Sequence, residues 1–424
     1  MTKKPNVLKL ANGLTLVPIP LKEQRTITVL VLVETGSKYE SKRENGISHF
    51  LEHMCFKGTS MRPSALHISR ELDGLGAEYN AFTGHEYTGY YAKVEARHLE
   101  EALDLVSDIY CNPLLATDDI EREKGVIADE INMRADMLPL QAGELFMKLL
   151  YGDQPAGWPI AGPKETIATF KREDFLSYRK LHYVARATTV IIAGKFDAAR
   201  MKRLAMKHFA NIPTGRKGGK VATSEKQTRP EIAIKEHASD QTHLVLGVRT
   251  VGARHPDVVG LNVLGAILGS GMSSRLFQKI REELGTGYYV RANHDTFTDH
   301  GFLEVATGID HARVEEVVRA IIAEFRRMKT ELVGKDELKK VQDYLIGKLY
   351  LGLESSDELA EFYGFQHVLK RRMLAPEEIG AKLRAVTPKA IQALAKKYLV
   401  TEHLNLAMIG PAKDDATYRN LLKL

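Results

Sequence analysis

Two histidines and a glutamate stand within five residues of one another in the run His49-Phe50-Leu51-Glu52-His53. On a helix, positions i, i+3 and i+4 lie on one surface, so the three side chains can converge on a single ion. Neutral imidazoles are nitrogen ligands for a divalent cation such as zinc, and a carboxylate between them is placed to take a proton from a water the cation activates. Zinc-assisted hydrolysis is the chemistry this trio would do. A short match can be accidental among 15 histidines in 424 residues, so the rest of the chain must supply further ligands and support.

A second helix is predicted from Thr117-Asp118-Asp119, whose acidic residues suit a first turn, through Arg134. Glu123 and Glu130 are seven apart on it and share a face with Ile127. Carboxylates on an apolar stripe need a partner, which a zinc ion would provide. In these residues the chain resembles the pitrilysin and mitochondrial-processing-peptidase family of inverzincin metallopeptidases, in its short two-domain form. There the His-x-x-Glu-His motif is followed by 76 residues and then a glutamate ligand; here residues 54–129 number 76 and Glu130 comes next. The resemblance implies one Zn2+ per chain held by His49, His53 and Glu130, with Glu52 as general base and Glu123 as a supporting catalytic-site carboxylate. It also implies an activity: a zinc endopeptidase hydrolysing short or unfolded peptides through a metal-activated water.

The resemblance continues on both sides of the motif. Gly76-Ala77-Glu78-Tyr79-Asn80-Ala81-Phe82-Thr83 alternates small or polar with aromatic residues and resembles the family's edge strand, which implies that Asn80, Ala81, Phe82 and Thr83 bind an extended peptide by main-chain hydrogen bonds. Gly269-Ser270-Gly271-Met272-Ser273-Ser274 lacks the lysine of a phosphate-binding loop, and the segment after it carries Arg281 and Tyr288, seven apart like the pair that holds substrate carbonyls in the family. Gln154 stands where many relatives have histidine, which leaves the ligand set intact and puts local substrate contacts in question. His98, His182, His208 and His243 have no ligand spacing to the motif and are read as structural or surface groups.

Composition is compatible with this reading. The chain is 44% apolar, long enough for two or more cores, and its formal charge of +6 is spread along the sequence, which does not suggest nucleic-acid binding. Two cysteines, Cys55 and Cys111, exclude a disulfide framework or cysteine zinc cluster, and Cys55 reads as a packed residue. The polar start at 1–6 carries no export signal, and no apolar run approaches membrane-spanning length, so a cytoplasmic location without membrane contact is expected.

The elements that must position these residues look like one design used twice. A strand at 7–10, the turn Asn12-Gly13 and a strand at 14–19 open the chain. A strand at 27–34 leads to the His49 helix, and a strand at 242–249 leads to a helix at 258–268. At an offset of 214 that second helix has Val263, Ala266 and Ile267 in place of the motif, so the second copy lacks the metal. Amphipathic helices are expected at 313–331 and 335–353, and Pro213-Thr214-Gly215-Arg216-Lys217-Gly218-Gly219-Lys220 reads as a linker. The expected fold class is α+β, with a zinc-binding domain over 1–212, a linker over 213–228 and a homologous metal-free, substrate-binding domain over 229–424. Each domain would be a mostly antiparallel sheet with helices on one face. In the resembled family four such domains enclose a chamber, and a two-domain chain carrying both the zinc set and Arg281/Tyr288 is expected to form a homodimer. The alternatives are half of a heterodimeric processing peptidase, or a non-catalytic peptide-binding or assembly subunit.

Overall fold

The run TITVLVLV forms a strand, Thr26–Val33, that is buried from Ile27 onward on both of its faces. A strand can bury both faces only at the centre of a sheet covered on both sides, and the neighbours supply that cover. The computed structural model describes residues 4–411 and 416–424; Met1, Thr2 and Lys3 of the polar start lie outside the described residues. Two compact units appear. One takes the stretch ending at Ile131 with Trp158–Val221 and Tyr350–Ala375; the other takes Asn132–Gly157, Ala222–Leu349 and Pro376–Leu424.

The strands of the first unit are β1 (Leu8–Lys9), β2 (Thr15–Pro20), β3 (Thr26–Val33), β4 (Glu78–Thr83), β5 (Thr88–Glu95) and β6 (Thr188–Gly194), in the order β1-β2-β6-β3-β5-β4. All pairs are antiparallel except β2 with β6. Gly13, with φ 93°, makes the turn between β1 and β2, as the Asn-Gly pair predicts. Side chains alternate between the faces. Ile27, Val29, Val31 and Val33 join the main core, whereas Leu30 and Leu32 pack with Leu359, Ala360 and Tyr363 of the helix Ser356–Phe365.

The second unit repeats the arrangement. Its strands β7 (Glu231–Glu236), β8 (Thr242–Thr250), β9 (Tyr289–Thr296), β10 (Gly301–Ile309) and β11 (Leu404–Gly410) run β7-β11-β8-β10-β9, with β7 and β11 parallel. This is the order of β2 to β6 over again, in agreement with the duplicated α+β design. The expected helices appear at Val258–Gly269, Val314–Thr330 and Lys335–Leu351. One core lies against Leu244, Leu246 and Val248; the other face holds Val245, Phe302 and Ala407 against Phe146 and Leu150 of the helix Leu138–Tyr151. Each sheet therefore carries a helix on its second face besides those expected on the first. In each case the sequence of that helix comes from the opposite half of the chain.

The hairpin of β4 and β5 is held at its turn by buried polar groups. Gly36 leaves no room for a Cβ beside the Gly84 carbonyl, Ser37 Oγ lies 2.8 Å from His85 Nδ1, and Lys38 Nζ lies 3.3 Å from a carboxylate oxygen of buried Glu86, which also pairs with Lys220. Lys217 Nζ donates to Glu34 at 2.5 Å, and Arg371 binds the same carboxylate. Two lysines of the basic stretch read as a linker thus lie against buried acids of the first unit. Burial, aided by Lys38, lowers the His85 pKa from 6.5 to about 4.

Two predictions follow from this packing. Phe146→Ala removes an aromatic ring from the second unit's core and should cost about 3–5 kcal/mol in urea denaturation, whereas a loss below 1 kcal/mol would show that the helix Leu138–Tyr151 contributes little. His85 is neutral when folded, so the unfolded chain takes up the proton first; the resulting stability is complete above pH 6.5 and is lost as the pH falls through about 4. The melting temperature of His85→Gln should therefore fall less steeply than that of the parent between those pH values, and parallel curves would contradict this.

Candidate metal centre

The motif forms helix α1 (Ile47–Cys55). It opens at Gly46, whose φ of 102° favours glycine and whose Cβ, if present, would meet the Ala161 carbonyl at 2.6 Å. Ile47, Phe50, Leu51 and Met54 face the core, with Phe50 edge-on to Phe175. The opposite face presents His49, Glu52 and His53, all partly exposed. Helix α2 (Thr117–Asp136) turns Glu123, Ile127 and Glu130 toward them, and Ile127 is fully buried. Its apolar stripe sets which way the two carboxylates point.

The geometry brings the expected ligands together. One donor atom each from His49, His53 and Glu130 lies within 4.8 Å of the others, the one such group of three or more among the described residues. Glu130 Oε2 is 3.5 Å from His49 Nε2 and 3.6 Å from His53 Nε2. Zinc bonds of roughly 2.0–2.1 Å in tetrahedral array separate ligand atoms by about that much, so the donor set fits this ion. His53 Nδ1 is 2.9 Å from Glu123 Oε1, which fixes the ring with Nε2 toward Glu130. Lys57 Nζ, one turn on, sits 2.6 Å from Glu123 Oε2. His49 Nδ1 is buried and makes no hydrogen bond.

Electrostatics within this group are strongly coupled. Burial works to lower the His53 pKa, but bonds to Glu123 and Glu130 prevail and raise it to about 9. The His49 and His53 rings hold the Glu130 carboxyl well below the usual range. Glu123, pushed up by burial, is brought below its ordinary value by His53 and Lys57. Burial raises the pKa of Glu52, against the opposing hydrogen bond that Thr83 Oγ1 donates to Glu52 Oε2 at 2.6 Å. A carboxylate shifted upward is better matched to moving protons near neutral pH.

The remaining expected site residues divide by unit. Asn80, Ala81, Phe82 and Thr83 lie on β4, at the open edge of the first sheet, where an extended peptide can add as a further strand. Thr83 already binds Glu52, a contact no spacing rule would find. Lys57, which pairs with Glu123, lies outside the motif, and its place four residues after His53 is the sequence signal that marks it. In the second unit Arg281 Nη1 donates to the Tyr288 carbonyl at 3.0 Å, and both line an open cleft of about 580 Å³. Tyr288 is largely exposed, so its phenol is available to a ligand. Val263, Ala266 and Ile267, at the motif-equivalent positions, are core residues. Gln154 bonds Tyr151 and Ser224 through its amide. His182 is buried, and none of His98, His182, His208 or His243 belongs to the three-donor group. No helix among the described residues is long and apolar enough to cross a membrane.

Comparison with known proteins gives a consistent picture. Residues 19–164 match the family model described as insulinase (peptidase family M16), and residues 169–345 match the peptidase M16 inactive domain. The chain is 32% identical over 401 residues to an uncharacterized zinc protease of Bacillus subtilis, covering 95% of this chain and 97% of that protein. It is 33% identical over 418 residues to an uncharacterized zinc protease of Mycobacterium leprae, covering 98% and 94%. Among solved structures, a protease from Helicobacter pylori superposes with a TM-score of 0.91 at 22% identity, over 97% of this chain and all of that one, which supports the fold. By sequence over nearly its whole length, the chain belongs to peptidase family M16.

Proposed function

We propose that this protein is a zinc-dependent endopeptidase acting on short or unfolded peptides. The observation that carries the reading is the convergence of His49, His53 and Glu130 within 4.8 Å, with Glu52 on the same helix face. The three would hold one zinc ion per chain, with Glu123 and Lys57 orienting the His53 ring. When bound, zinc supplies a Lewis acid that polarises a peptide carbonyl and makes water more acidic.

The protein's own groups account for the remaining steps. The edge of β4 aligns an extended peptide by main-chain hydrogen bonds, a mode that tolerates many sequences. Thr83 occupies Glu52 Oε2, leaving Oε1 to take a proton from the attacking water. As the carbon–nitrogen bond breaks, Glu52 passes that proton to the departing amine. Arg281 and Tyr288, as hydrogen-bond donors, would hold substrate carbonyls. Because one chain carries both the donor set and this pair, we place the active form as a homodimer in which the second half of one subunit serves the zinc of its partner.

Glu52→Gln should keep zinc binding within about twofold and abolish cleavage of quenched unstructured peptides; cleavage surviving in the variant would remove Glu52 from the role of base. No cleavage by the zinc-loaded parent would favour the non-catalytic reading or a missing partner subunit. Arg281→Ala should lower kcat/KM on the order of 10²-fold in the purified homodimer, whereas unchanged activity would point to a pair supplied by another chain. Sizing should give a dimer, and an active strict monomer would contradict the assembly.

A further inference from the structure

Helix α1 begins at a buried carboxylate outside the motif. Glu40 is 3% exposed. Its Oε2 accepts from Gly46 N–H at 2.8 Å and from Asn45 Nδ2 at 3.0 Å, and its Oε1 accepts from Ser48 N–H at 2.9 Å. Gly46 precedes the helix and Ser48 is its second residue, so Glu40 satisfies first-turn donors that the helix itself leaves open. A capping side chain normally sits at the helix boundary, whereas this one comes from six and eight residues upstream.

Ser48 is also held from the other side. Its Oγ lies 2.7 Å from Tyr178 Oη, which lies 2.6 Å from Thr35 Oγ1, and the Thr35 carbonyl accepts from Thr88 Oγ1 at 3.0 Å. All of these residues are buried. The network therefore joins the ends of β3 and β5 to the helix Arg172–His182 and to the first turn of α1. Apolar packing is non-directional and tolerates small rotations or slips of a helix, whereas hydrogen bonds to specific backbone groups do not. His49 follows Ser48 directly, and Glu52 and His53 come one turn later.

We propose that Glu40 is a positioning residue of the metal centre: by fixing the first turn of α1 against the sheet, it sets where His49, and after it Glu52 and His53, meet Glu130. Zinc affinity and the ligand field of bound Co2+ then depend on a side chain that touches neither ion nor substrate. The role rests on the metal-site reading above.

The test compares zinc affinity by chelator competition, and the visible spectrum of the Co2+-loaded full chain, for Glu40→Gln and Asp197→Ala. Asp197 Oδ1 accepts from Arg200 N–H at 2.7 Å and caps the helix Ala198–His208, which bears no site residue. Glu40→Gln should weaken zinc about tenfold or more and alter the Co2+ spectrum, with Asp197→Ala close to the parent in both. An affinity within twofold of the parent for Glu40→Gln, or equal losses in both variants, overturns the proposal. Were Glu40→Gln insoluble, Glu40→Asp, which keeps the carboxylate but draws it back from the Gly46 and Ser48 N–H groups, decides in the same way: weaker zinc binding supports the role and unchanged binding overturns it. A parent that binds zinc but cleaves nothing would count against the homodimeric peptidase and leave this titration to judge Glu40; a parent that binds no divalent cation overturns both.

Discussion

The centre depends on bringing Glu52, Glu123 and Glu130 together with two imidazoles on half-buried surface. Carboxylates desolvated side by side repel one another unless positive charge is supplied among them. Lys57 answers Glu123, and the His53 ring, caught between Glu123 and Glu130, is driven toward its protonated form. A divalent cation held by His49, His53 and Glu130 would meet the same demand. Much of the surrounding architecture serves to keep these groups from separating. The apolar stripe of α2 presents Glu123 and Glu130, and the core face of α1 leaves its histidines only one direction to point.

The same sheet design occurs in both units, yet among the described residues only the first brings together a group of three possible metal donors. At the equivalent place the second unit buries Val263, Ala266 and Ile267, so its helix Val258–Gly269 is packed almost all round. With core residues at those positions the electrostatic demand is absent. What the second unit offers instead is Arg281 and exposed Tyr288 on an open cleft.

Much of this was legible in the sequence. The strand TITVLVLV, the Asn12-Gly13 turn and the duplicated strand-helix order follow from local periodicity and turn chemistry, and the convergence of His49, His53 and Glu130 follows from helical spacing together with family resemblance. What was not legible depends on contacts distant in sequence. Leu359 and Tyr363 pack on Leu30 and Leu32, and Phe146 packs beside Phe302, although nothing in the periodicity of those helices says which sheet they cover. The glycine-rich basic stretch reads as a linker, yet its Lys217 and Lys220 lie against buried Glu34 and Glu86. Glu40 and the Thr83–Glu52 contact were hidden for the same reason, since a lone polar residue in a loop carries no mark of the backbone groups it will meet.

The most direct test of the account is a crystal of the zinc-loaded protein measured on both sides of the zinc absorption edge. One strong anomalous peak per chain is expected, bonded to His49 Nε2, His53 Nε2 and the Glu130 carboxylate, with Glu52 beside it and unbound. A peak elsewhere, or a zinc ion ligated by Glu52 in place of Glu130, would contradict it.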